Sequence, residues 1–199
     1  MNSNASATLA PSANLTQAEQ EQAHTYFQQT QDAIVGATCG LTAAQWNFKT
    51  SPARWSIAEI LEHVVFVQER VLGPIAEQLD TAPAPPPETR ETVDSIVLGQ
   101  FPQRLKRFTA PDFAQPTGRW TPDEALERLA VNYVRLRQLV DSTPGLRAHA
   151  LEAPPLKAVS SGVHQLMDGY QWLLTAAAHT DRHTKQILEV KAHPGFPSH

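Results

Sequence analysis

Ser56-Ile57-Ala58-Glu59 is the clearest structural signal in this chain. A serine followed three residues later by a glutamate satisfies free backbone N–H groups at the start of a helix, the capping-box arrangement. Trp55 before the cap and Ile60 four positions into the helix have the spacing of a hydrophobic staple. Ile60, Val64, Val67, Val71 and Ile75 then recur in steps of four and three, which makes a buried helical seam. Gly73-Pro74 marks a kink near the far end, and Ala82-Pro83-Ala84-Pro85-Pro86-Pro87 stops the helix as a stiff, extended connection.

Three more segments open in the same way. Thr16 and Glu19 have capping-box spacing and predict a first helix running to about Val35, with Gly36 or Gly40 ending it. Ala23, Phe27, Ala33 and Ile34 are its candidate core positions, and His24 reads as a surface histidine. Thr121-Pro122-Asp123-Glu124 places a cap, a proline and two acids at the start of a third helix. Its seam is Leu126, Leu129, Tyr133, Leu136 and Val140, and Asp141-Ser142-Thr143-Pro144-Gly145 ends it. Asp168 with Gln171 opens a fourth helix that reaches about Lys191, before the stop at His193-Pro194-Gly195.

The connections read less clearly. Residues 41–54 are a connector with a short helical turn near Thr42 to Trp46, anchored by Trp46 and Phe48. Residues 88–118 predict one or two short helices within a long crossover at the end of the bundle, and 146–167 an irregular stretch. Strand signals are weak throughout. The fold class is therefore all-α, a four-helix bundle with a long crossover between its second and third helices. Residues 1–14 read as a flexible tail and 15–199 as one domain.

Charge and composition exclude several functions. The net charge is −4 without a basic block, so nucleic-acid binding has no electrostatic footprint. No apolar run approaches membrane-spanning length, and the N-terminus lacks the pattern of a signal peptide. A single cysteine, Cys39, cannot form an internal disulfide and reads as packed or inert. A soluble, cytoplasmic protein is expected.

The chemistry gathers on histidines. His179 and His183 lie one turn apart on one helical face, in a seam with Trp172, Ala176, Gln186 and Val190 that points both rings inward. His63 sits beside the seam of the second helix. Neutral imidazole ligates zinc, nickel, copper or iron, and three such ligands leave a coordination position open for water or substrate. From spacing alone, a metal site and hydrogen-bonded core histidines are both open readings. Thr180 stands where the zinc-protease motif needs glutamate, so that motif is rejected. No glycine-rich phosphate loop or nucleophile elbow is present. Glu59, Glu62 and Asp181 are candidates either for orienting ligands or for plain surface solvation.

Two motifs carry a resemblance. Trp55-Ser56-Ile57-Ala58-Glu59-Ile60-Leu61-Glu62-His63 and His179-Thr180-Asp181-Arg182-His183-Thr184-Lys185-Gln186-Ile187 resemble the DinB-like superfamily, which includes YfiT-type metal-dependent hydrolases. The resemblance implies an up-down-down-up bundle, often a homodimer, with metal ligands His63, His179 and His183. It also implies a divalent ion, with zinc or nickel the first expectation and manganese or iron the next. Relatives include transferases and isomerases that use low-molecular-weight thiols such as bacillithiol or mycothiol, and a related domain serves ergothioneine biosynthesis. The expected function is a hydrolase or thiol S-transferase acting on a small molecule, with Trp172, Gln186 and Tyr133 lining the pocket. The alternative is a non-catalytic helical binding or stress-related module without an essential metal. The proline-rich crossover and the irregular stretch before the fourth helix depart from the family pattern.

Overall fold

In the computed structural model, residues 13–86, 89–104 and 108–198 are described. The four long helices are α1 (Gln17–Thr38), α3 (Ile57–Glu77), α5 (Pro122–Ser142) and α7 (Gly169–Lys191). Between them lie α2 (Ala43–Asn47), α4 (Arg90–Gly99) and α6 (Pro154–Val159). Each long helix opens on the predicted reciprocal cap, with Thr16, Ser56, Thr121 and Asp168 as the cap residues. α2 has the same device in Thr42 and Gln45. α1 continues through Gly36 and ends at Cys39, which is extended and exposed. Gly40 follows at φ +68°, where a residue without Cβ turns the chain at no steric cost. α3 continues through Pro74 to Glu77.

α1 and α3 each pack between α5 and α7. The side-chain contacts give the directions. Tyr170 reaches Glu19 and Gln22 at one end and Lys191 reaches Ala37 at the other, so α1 and α7 run the same way. His24 meets Asp141 and Gln28 meets Tyr133, so α5 runs opposite to α1. One apolar cluster joins Phe27, Leu72, Leu136, Tyr170 and Leu173; a second joins Ile34, Ile60, Leu61, Val64, Leu129 and Ile187. The buried stripe of α5 is Ala125, Leu129, Asn132, Leu136 and Val140, with Leu126 and Tyr133 only half-buried. Leu129, Leu136 and Val140 belong to both the stripe and the apolar seam, and Ala125 and Asn132 are buried in place of Leu126 and Tyr133. α5 faces both α1 and α3, and the small Ala125 and the polar Asn132 fill that line of contact. His24 is not a lone surface residue, since its Nε2 lies 2.7 Å from Asp141 Oδ1.

The segment expected to be irregular contains a two-stranded antiparallel hairpin, β1 (Ala150–Glu152) and β2 (Leu166–Asp168), with Leu151 opposite Met167. Strands of three residues are too short to display a period of two, and α6 separates the partners in sequence. Asp168 ends β2 and caps α7, so the hairpin sets where the helix begins. Behind it, buried Arg147 bonds Glu19, Asp94 and Asp168, with its guanidinium 4.2 Å above the Tyr170 ring. Burial pushes the Asp168 carboxyl up against the pull of Arg147. Residues 1–12 of the expected tail lie outside the described residues. Ala13 accepts a bond from the Arg147 backbone, and Asn14 one from Gly145. No described helix is long and apolar enough to cross a membrane.

Candidate metal centre

His63 is fixed by α3 and by the loop that precedes α5. Its Nδ1 lies 2.8 Å from the carbonyl oxygen of Ala114, which sits in a short 3-10 turn (Asp112–Ala114). A carbonyl only accepts, so Nδ1 carries the proton and the Nε2 lone pair is free to point inward. The loop is held in turn by Glu62, whose two carboxylate oxygens accept from the N–H groups of Thr117 (2.8 Å) and Gly118 (2.9 Å). Glu62 therefore acts one step behind His63, through the loop.

His179 and His183 rise from α7 as the helical period requires. Their Nε2 atoms are 3.1 Å apart, and His179 Nε2 is 3.2 Å from His63 Nε2. One ligating nitrogen from each ring falls within a 4.8 Å cluster. His183 Nδ1 is 2.9 Å from Gln186 Oε1, which also receives Nη1 of Arg104 at 3.1 Å. The indole ring of Trp55 covers the site, 4.9 Å from the His63 ring and 6.5 Å from that of His183.

The rings are poised to be neutral. Burial lowers the His63 pKa, partly offset by the Ala114 bond. Burial also holds His179 and His183 well below the ordinary imidazole range, and the neighbouring rings add to it. His63 is 5% exposed and His183 7%. Two Nε2 lone pairs thus converge on His179 Nε2, which has at most one proton to share between them. His179 Nδ1 is buried and has no hydrogen-bond partner among the described residues. Three converging neutral imidazole nitrogens are a donor set that fits a divalent transition metal or zinc, the ion supplying the positive charge the lone pairs face.

A family model described as the DinB superfamily matches residues 26–187. This chain belongs to the DinB superfamily. The matched span contains all three histidines. No curated protein and no solved structure matches the chain.

The other sequence candidates fall differently within this DinB-superfamily bundle. Gln186 touches His183 directly. Trp172 and Tyr133 pack half-buried against the first apolar cluster, and the Tyr133 hydroxyl bonds Gln28 and receives Arg137. Glu59 is occupied by its cap and by Lys49, and Asp181 by Lys185. Three site residues escaped the sequence reading. Ala114 contributes only a backbone carbonyl and Arg104 comes from an aperiodic loop, so neither leaves a signal. Trp55 was legible as a staple, yet its ring also lies over His63, two turns further along α3.

Proposed function

We propose that this protein is a metal-dependent enzyme in which His63, His179 and His183 hold one divalent ion, zinc or nickel before manganese or iron. The observation that carries this reading is the convergence of three Nε2 atoms from neutral rings. The bound ion would supply Lewis acidity to a water or low-molecular-weight thiol in its open position. The chain's own residues do the rest. Ala114 and Gln186 hold the Nδ1 protons of His63 and His183, and Trp55 shields one side of the site. Glu59, Glu62 and Asp181 are each engaged elsewhere, which suits a nucleophile that ionises on the metal rather than through a carboxylate base. A thiol fits that requirement better than water, because it starts from a lower pKa. The proposed activity is therefore thiol S-transfer to a small molecule, with hydrolysis as the neighbouring reaction.

Elemental analysis of protein purified without a metal-affinity tag, beside a His179→Ala variant, tests the reading. Near-stoichiometric metal that is lost in the variant supports it. Equal metal content in the His63→Ala, His179→Ala and parent proteins overturns it, and favours a non-catalytic helical module. A homodimer in the cytoplasm belongs to the same proposal, supported by superfamily membership and by the single cysteine. Light scattering that gives a monomer mass across a wide concentration range would remove the dimer.

A further inference from the structure

The guanidinium of Arg104 forms a fork on Glu189, with Nε 2.7 Å from Oε1 and Nη2 2.8 Å from Oε2. Its remaining Nη1 lies 3.1 Å from the Gln186 side chain, which lies 2.9 Å from His183 Nδ1. Arg104 thus bridges Glu189 and Gln186, one turn apart on α7, beside the face that bears His179 and His183.

We infer that Arg104 is a positioning residue for the three-histidine centre, setting the tautomer of His183 through Gln186. The argument is one of donors and acceptors. A glutamine amide alone is ambivalent: its oxygen would select Nδ1–H on His183, and its NH₂ group would select the other tautomer. A guanidinium has donors only. The Gln186 atom facing Arg104 must therefore be the oxygen, and the same oxygen faces His183. His183 Nδ1 must then donate, so its Nε2 is a bare lone pair aimed at His179. The fork on Glu189 keeps the guanidinium from turning away. Ala114 achieves the same result for His63 without help, because a carbonyl has no second orientation.

This inference rests on the metal reading for its consequence but not for its test. Nitrogen-15 chemical shifts of the imidazoles report the tautomer in metal-free protein, and a chelator competition with zinc reports affinity. In the parent, His183 is expected as the Nδ1–H form. In Arg104→Ala the two tautomers should mix, and zinc affinity should fall on the order of tenfold, the scale of groups that orient ligands. Gln186→Glu keeps an acceptor facing both partners and should retain the Nδ1–H form. Gln186→Leu should lose it. Circular dichroism separates these effects from unfolding. A His183 that stays wholly Nδ1–H in Arg104→Ala overturns the inference, whatever Gln186→Leu or the zinc titration gives. A parent that binds none of zinc, nickel, manganese and iron overturns the metal reading and leaves the tautomer result to stand alone.

Discussion

The Nδ1 of His63 and the carbonyl oxygen of Ala114 lie 2.8 Å apart, although 51 residues separate them in the chain. That bond joins the loop before α5 to the histidine of α3, and the buried Glu62 next to His63 anchors the loop through Thr117 and Gly118. One carboxylate therefore supports both the loop and the orientation of His63.

Replacing that carboxylate should disturb both. Glu62→Gln retains one acceptor and turns a second donor toward a backbone N–H. We expect a loss of about 1–3 kcal/mol in urea denaturation, the cost of a buried donor left unmatched. Zinc affinity should weaken as well, because the Ala114 carbonyl loses its support. Unchanged affinity in a destabilised variant would separate the loop from the site.

Bound metal should raise the melting temperature. At a free concentration about 100-fold above the dissociation constant, stabilisation is about 2.7 kcal/mol, or roughly 5–10 °C for a chain of this size. The His179→Ala protein should show no rise under the same conditions. Differential scanning calorimetry of both proteins with and without zinc makes the comparison.

Gly169 opens α7 in a space with no room for a side chain. A Cβ there would stand 2.6 Å from Leu79 Cδ2, 2.8 Å from Leu146 Cδ2 and 3.1 Å from the Leu146 carbonyl. Gly169→Ala should cost about 1–3 kcal/mol through overpacking, despite the better helix propensity of alanine. Chemical denaturation measures it, and a neutral result would mean that both leucines move aside freely.

Acid should weaken the fold through Glu19 and Glu59. Burial alone would raise both pKa values. For Glu19 the Thr16 N–H and Arg147 outweigh it, and for Glu59 Lys49 and the Ser56 N–H do, holding both carboxyls below the ordinary value. A depressed folded pKa means that the unfolded chain binds the proton first. The stabilisation is fully present above the unfolded value of about 4.3 and disappears as the pH falls through the folded one. Denaturation curves measured down to pH 3 should flatten in Glu19→Gln, whose stability at neutral pH is already reduced. A parallel shift with unchanged pH dependence would assign the acid limb to other groups.

The four long helices were legible because capping and periodicity are local. Ser56 and Glu59 stand three residues apart whatever the rest of the chain does, and so do Asp168 and Gln171. His179 and His183 could be paired for the same reason, and the match of both motifs to the superfamily brought His63 to them. What stayed hidden was non-local or backbone-borne. The β1–β2 hairpin depends on partners on either side of α6, the Ala114 carbonyl has no side-chain signature, and Arg104 acts from a loop. Leu126 and Tyr133 keep the apolar period of α5 and pack half-buried against the two clusters, while Ala125 and Asn132, which the period does not mark, are the buried residues beside them.

The three histidines are unequal in when they can meet. His179 and His183 need only one formed turn of α7, whereas His63 joins them across 116 residues. Under the proposed metal reading, α7 alone carries two of the three ligands. The third nitrogen depends on α3 packing against α7, so under that reading a change from two ligands to three would report the closing of this helix pair.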